Sequence, residues 1–161
     1  MIVIVMGVVG AGKTTIGSLL AQQLGWEFVD ADSFHSPSSV EKIRHGIGLT
    51  DADRAPWLNA IHEAVERWTA ERRNVVLACS ALKRSYRQEI GIGLGLKFVY
   101  LKGSPELIAQ RLQARHGHFA NAQILDSQFA TLEEPDDAVT VDVGPSPEVI
   151  VSEIRKRLAL E

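Results

Sequence analysis

An α/β fold with a five-stranded parallel sheet and helices on both faces follows from three features of the 161-residue chain. Short apolar runs alternate with segments of helical periodicity along its length. The runs are apolar throughout rather than at every second residue, as strands covered on both faces are. A glycine-rich turn then joins the first run directly to the first helical segment.

The first run is Ile-Val-Ile-Val-Met at 2–6. Ile16, Leu19, Leu20 and Leu24 recur at helical spacing, and Gly25 is a natural helix C-cap. Strand two covers 26–29 and ends in Asp30-Ala31-Asp32. Residues 33–54 are polar, with a short helix expected over 39–45, introduced by Ser36-Pro37-Ser38. Pro56 suits a helical first turn, and Trp57, Leu58, Ile61, Ala64, Val65 and Trp68 continue that helix to about Arg72. Strand three covers 74–79, and a helix opens at Ser80 and ends near Gly91. Strand four covers 97–101, and Ser104-Pro105-Glu106 starts a helix running to about Arg115. Gly117-His118-Phe119 interrupts it before a helix over about 122–132, strand five over 138–143, and a last helix from Pro147 to about Leu158.

Residues 7–14 read Gly-Val-Val-Gly-Ala-Gly-Lys-Thr, the pattern GxxxxGK[ST] between a strand and a helix. That is the phosphate-binding P-loop. A triphosphate needs donors that do not collide with it, and bare amides at a helix N-terminus supply them. Gly7, Gly10, Ala11, Gly12, Lys13, Thr14 and Thr15 are therefore the expected ATP-binding residues. Lys13 would reach the β- and γ-phosphates, and the Thr14 hydroxyl would ligate Mg²⁺.

Composition narrows the class of function. The chain is ordinary for a globular domain, 45% hydrophobic and 23% charged, and its length suits one domain over 1–161. A net charge of −3 leaves no basic excess for a general nucleic-acid binder. Cys79 is the single cysteine, so no internal disulfide is expected and a reducing, cytoplasmic setting is natural. The first apolar run is five residues long and leads straight into the P-loop, so neither a signal peptide nor a membrane span is expected.

Ligands of parallel sheets gather where the strands end. Asp30 and Asp32, two apart in an extended stretch, would point the same way. One carboxylate can hold Mg²⁺ while the other accepts a proton from a substrate hydroxyl. Strand three ends in Cys79-Ser80, without the acid that many P-loop enzymes place there, and this pair replaces it. Arg54, Lys83, Arg84 and Arg87 follow strands two and three, on the side of a second substrate. Arg111 and Arg115 share a helix face beside Gly117-His118, which suits a mobile lid over about 112–128 that closes cations on a transferring phosphoryl group.

The same residues resemble one family from about 3 to 143. On the substrate side the likeness rests on Asp30-Ala31-Asp32-Ser33-Phe34-His35, Lys42, Gly46, Leu49, Asp51, Asp53-Arg54 and Pro56-Trp57-Leu58. Further along it rests on Cys79-Ser80-Ala81-Leu82-Lys83, Tyr86-Arg87, Tyr100-Leu101-Lys102-Gly103, Arg111-Leu112, Arg115, Gly117-His118-Phe119, Ser127-Gln128-Phe129, Leu132-Glu133 and Pro135. These blocks look like gluconate kinase. The resemblance implies a nucleotide- and shikimate-kinase-like P-loop fold with a mobile lid, working as a homodimer. It implies ATP- and Mg²⁺-dependent phosphorylation of the 6-hydroxyl of D-gluconate, giving 6-phosphogluconate and ADP. Carried over by position, Lys13, Asp30, Asp32 and Arg115 are catalytic, with Asp32 orienting the hydroxyl and Asp30, with Thr14, nearer the metal. Arg111 joins the ATP residues, and Asp32, His35, Arg54, Arg87, His118 and Gln128 bind the acceptor. The chain departs from the family pattern at Ser36, Ser39 and Gly48, all in the substrate-side segment of about 33–58. Another small hydroxy acid or a nucleotide as acceptor, and a non-catalytic ATP-binding module, are the alternatives. Shikimate is disfavoured because strand three leads to Cys-Ser-Ala-Leu and not to that family's triple glycine.

Overall fold

The computed structural model describes residues 1–91, 94–116 and 122–160, apart from the side chains of His116 and Ala122. Strand β1 (Ile2–Met6) lies at the centre, its side chains only 0–4% exposed. Around it run β2 (Glu27–Asp30), β3 (Val75–Ala78), β4 (Lys97–Lys102) and β5 (Val139–Asp142), in the order β2-β3-β1-β4-β5 with every pairing parallel. Each strand therefore ends at the same edge of the sheet, where Met6, Asp30, Ala78, Lys102 and Asp142 stand.

Alternation along β1 divides the core in two. Val3 and Val5 pack with Ile16 and Leu20 of α1 (Lys13–Leu24) and with Val151 and Ile154 of α7 (Pro147–Arg157). Ile2, Ile4 and Met6 pack on the opposite face with Trp57, Ile61, Val65 and Trp68 of α3 (Asp51–Ala70) and Ile90 of α4 (Arg84–Gly91). Full burial of a side chain such as Ile4 stabilises the fold by about 1.5–3 kcal/mol. Helices α2 (Pro37–Arg44), α5 (Pro105–His116) and α6 (Ala122–Thr131) complete the described elements. Gly25 closes α1 in the left-handed region at φ 69°, its N–H donating to Ala21 and Gln22.

Two helix starts differ from the sequence expectation. Helix α3 begins at Asp51, five residues before Pro56, because Thr50 and Asp53 form a capping box. The Asp53 N–H donates to Thr50 Oγ1 at 3.1 Å, and the Thr50 N–H donates to Asp53 Oδ2 at 2.9 Å. Pro56 thus lies inside the helix and forgoes one backbone bond, a loss that burial of the adjacent Trp57 and Leu58 offsets. Helix α4 begins at Arg84 and not at Ser80: Ala81 sits at φ +46°, outside helical space. Its start is capped from far away, the Arg84 N–H donating to Glu133 Oε1 at 3.0 Å. A 3₁₀ turn over Ala31–Phe34 follows β2, where extended chain was expected.

Candidate active site

The P-loop emerges from β1 with Gly10 at φ +82° and Gly12 at φ +99°, conformations that a side chain would strain. A Cβ at Gly10 would also come within 3.2 Å of Ile108. Gly12 is the N-cap of α1 and brings no side chain to the helix's free N–H groups, which leaves that end chemically suited to an anion. Lys13 folds back along the loop, its Nζ donating to the Val8 carbonyl at 3.0 Å. Burial draws its pKa below the ordinary lysine value, opposed first by the nearby negative charge of Asp32.

Asp30 ends β2 with both carboxylate oxygens engaged. Oδ1 accepts the Asp32 N–H at 2.9 Å, and Oδ2 accepts the Thr14 hydroxyl at 3.3 Å. The first bond forms the 3₁₀ turn, so Asp30 and Asp32 do not lie side by side on extended chain. Asp30 accepts from the P-loop, whereas Asp32 is open to solvent beside His35. The Asp32 side chain is 83% exposed, yet surrounding protein atoms displace part of its hydration shell. This desolvation, followed by the charge of Asp30, raises its pKa above the usual carboxylate value; Lys13 and His35 act the other way.

His35 is held face to face against Trp57, ring centroids 4.5 Å apart and planes within 9°. Trp57 is fixed in turn by donation from Nε1 to the Ala31 carbonyl at 2.8 Å. The imidazole is 95% buried by its 5% side-chain exposure, and its Nε2 lies 3.9 Å from Asp32 Oδ1. Burial lowers its pKa, which favours the neutral ring beside Asp32. No spacing pattern in the sequence indicates this stack.

The arginines divide. Arg54 is 27% exposed and donates to the Tyr86 hydroxyl at 3.1 Å. Arg87, expected at the acceptor, is buried at 8% exposure and faces the backbone. It donates to the carbonyls of Ala81 at 2.8 Å, Leu82 at 3.2 Å and Glu133 at 2.9 Å. Satisfaction accounts for this placement: buried carbonyls need donors, and a guanidinium supplies several in one plane. Gln128, also expected at the acceptor, accepts the Val9 N–H through Oε1 at 2.6 Å, joining α6 to the P-loop. His118, and residues 117–121 of the expected lid, lie outside the described residues.

Beside the P-loop a cleft of about 420 Å³ is lined by Gly10, Gly12 and Thr15, by Arg111 and Arg115 of α5, and by residues 144–147 after β5. Arg111 braces its far wall by donating to the carbonyls of Val143 and Gly144. The arrangement is a phosphate loop with a lateral cleft on one side and an acid–imidazole–cation row on the other.

Comparison with known proteins agrees with this geometry. A family model described as shikimate kinase matches residues 9–159. Gluconokinase of Gluconobacter oxydans (strain 621H) is 44% identical over 162 residues, covering 98% of this chain and 91% of that protein. The thermoresistant gluconokinase of Escherichia coli (strain K12) is 40% identical over 156 residues, covering 94% and 89%. Among solved structures, a gluconokinase from Sinorhizobium meliloti 1021 is similar at a TM-score of 0.86 and 44% identity, covering 98% of this chain and 90% of that one. The shikimate kinase of Aquifex aeolicus vf5, at 17% identity and a TM-score of 0.59 with 99% and 96% covered, shares the fold. P-loop kinase fold, site layout and sequence similarity along nearly its whole length converge: the chain belongs to the gluconokinase family.

Proposed function

We propose that this protein transfers the γ-phosphoryl group of ATP to the 6-hydroxyl of D-gluconate, with Asp32 as the base that takes the hydroxyl proton. The observation that carries the mechanism is the position of Asp32, solvent-open between the P-loop Lys13 and the stacked imidazole of His35. Its raised pKa makes it a better proton acceptor than an ordinary carboxylate. As the bond from O6 to the γ-phosphorus forms, the bond to the β–γ bridging oxygen breaks, ADP leaves and the proton passes to Asp32. Lys13 and Arg115 bring positive charge to the phosphates, and Gly7 to Thr15 hold them through backbone donors. The cleft between α5 and residues 144–147 takes the nucleoside, with Arg111 in its wall.

Thr14 and Asp30 present a hydroxyl and a carboxylate oxygen 3.3 Å apart, hard oxygen donors of the kind Mg²⁺ takes. Among the described residues no group of three His, Cys, Asp or Glu converges. When bound, the ion neutralises charge on the phosphates. Homodimerisation and a cytoplasmic setting, drawn from the family resemblance and the lone Cys79, belong to the same proposal. Among the described residues no helix is long and apolar enough to cross a membrane.

The test is ADP release on addition of gluconate and a panel of related aldonates. Gluconate is expected to give the highest kcat/KM, and the absence of stimulation by any sugar acid would overturn the reading. The match to the shikimate kinase model favours including shikimate in the panel, where little turnover is expected.

A further inference from the structure

Beyond His35, at the N-terminus of α3, four side chains from two segments meet: Asp51 and Arg54 of α3, and Lys83 and Tyr86 at the start of α4. Tyr86 of α4 donates its hydroxyl to Asp51 Oδ1 at 2.7 Å. The same oxygen lies 3.5 Å from Lys83 Nζ and 3.8 Å from Arg54 Nη1. Arg54 also donates to the Tyr86 hydroxyl at 3.1 Å. Both cations sit over the Tyr86 ring, Arg54 at 5.5 Å and Lys83 at 5.4 Å from its centroid. Two cations and one hydroxyl thus converge on one carboxylate oxygen, and a net positive charge remains after Asp51 is counted.

Asp51 is 74% exposed, against 27% for Arg54 and 36% for Lys83. An exposed ion pair of this kind contributes little stability, so the acid can leave its partners at small cost. The cations and the tyrosine are the more fixed part. Both cations lie within 5.5 Å of the ring centroid, and Tyr86 itself is buried at 7% exposure.

We propose that Arg54, Lys83 and Tyr86 form the subsite for the acceptor's carboxylate, and that Asp51 is an internal stand-in which the substrate displaces. The inference rests on the sugar-acid kinase reading above and adds Lys83, Tyr86 and Asp51 to it. The order of groups along the cleft supports it. His35 Nε2 lies 3.9 Å from Asp32 Oδ1, and its ring stacks on Trp57, one helical turn along α3 from Arg54. From Asp32 the row therefore runs base, imidazole, cations. A linear sugar acid offers terminal hydroxyl, interior hydroxyls and carboxylate in the same order. The Tyr86 bond, followed by the Lys83 charge, already holds the Asp51 carboxyl below its ordinary pKa, so the site favours a carboxylate in its anionic form.

The experiment pairs gluconate with glucitol, the polyol of the same length without a carboxylate. It reads steady-state kinetics and calorimetric titration of gluconate for wild type, Lys83→Met, Tyr86→Phe and Asp51→Asn. Losing one charge-assisted contact should raise the KM and Kd for gluconate about 10- to 100-fold in Lys83→Met. Tyr86→Phe should raise them about 3- to 10-fold. Both should leave the KM for ATP and the weak kcat/KM for glucitol unchanged. Asp51→Asn removes the competitor and should lower the KM for gluconate, an effect that a merely structural acid would not produce. Wild-type turnover of gluconate with unaltered affinity in Lys83→Met and Tyr86→Phe would overturn the subsite and leave the kinase reading intact. Equal losses with glucitol, or a higher KM in Asp51→Asn, would also overturn it. If wild type fails to phosphorylate gluconate, the kinase reading falls and the titration alone decides. Gluconate binding that Lys83→Met abolishes upholds a carboxylate site, and no binding by wild type removes it.

Discussion

At the scale of single residues, the site combines a cation and a carboxylate whose surroundings each disfavour the charged form. Lys13 sits against the Val8 carbonyl in a water-poor loop, where its ammonium is worth more to a phosphate than it would be in solution. Lys13→Ala should abolish ATP turnover while unfolding remains cooperative. Asp32 offers a sharper test because function and stability pull in opposite directions. Its folded pKa lies above the unfolded value of 3.8, so the native state binds the proton more tightly. The native state is thus favoured by Asp32 at low pH and progressively disfavoured as pH rises through the raised value. Asp32→Asn should therefore lower kcat by about 10²- to 10⁴-fold, the range for a general base. The same substitution should raise the thermal midpoint at neutral pH, with the gain vanishing toward pH 3. A mild effect on both kcat and KM would remove Asp32 from the role of base.

At the scale of elements, helix ends decide where the substrate-side groups stand. Asp53 closes the capping box of α3 and also receives Lys42 of α2, whose Nζ lies 3.0 and 2.9 Å from its two oxygens. The Thr50 backbone N–H, then Lys42, hold the Asp53 carboxyl at about 2. A depressed acid contributes stability that is present above its unfolded pKa and lost as pH falls through the folded one. Asp53→Asn should reduce the urea midpoint by a constant amount from pH 7 down to about 4, and the difference from wild type should shrink as pH falls toward 2. A difference that does not depend on pH would mean that Asp53 acts through shape alone. The same cap explains why the helix expected from Pro56 starts at Asp51. A reciprocal pair of side-chain bonds outweighs the one backbone bond that the proline forgoes. That earlier start is what brings Asp51 and Arg54 to face Tyr86.

At the scale of the whole molecule, Arg87 and Glu133 tie the loop after β3 to the chain that follows α6. Arg87 donates to Ala81, Leu82 and Glu133, the Glu133 N–H donates to the Leu82 carbonyl at 2.8 Å, and the Glu133 side chain caps α4. Arg87→Ala would leave buried carbonyls without donors and should lower unfolding free energy by about 2–5 kcal/mol, read from urea denaturation. Lysine should not restore it, because it lacks the planar fork. A fully stable Arg87→Ala with a raised KM for gluconate would return Arg87 to the acceptor. A second tie, Gln128 to the Val9 N–H, connects α6 to the P-loop across 119 residues of chain.

Much of this was legible in one dimension because its physics is local. A strand, a glycine loop and Lys-Thr before a helix specify a phosphate cradle by spacing alone. Apolar runs buried on both faces imply a parallel sheet, and a parallel sheet brings Asp30, Asp32 and residues 80–87 to the edge that carries the loop. The sequence by itself therefore determined the fold class and the kinase family. Only the tertiary structure decided which polar groups face a ligand and which serve the backbone. Arg54 and Arg87 look equivalent in the chain, but burial leaves one partly exposed beside Tyr86 and commits the other to carbonyls. The cap of α4 by Glu133, the stack of His35 on Trp57 and the meeting of Asp51 with Tyr86 join residues 22–49 positions apart. Such contacts depend on which surfaces the folded sheet brings together, and no periodicity of the chain encodes them.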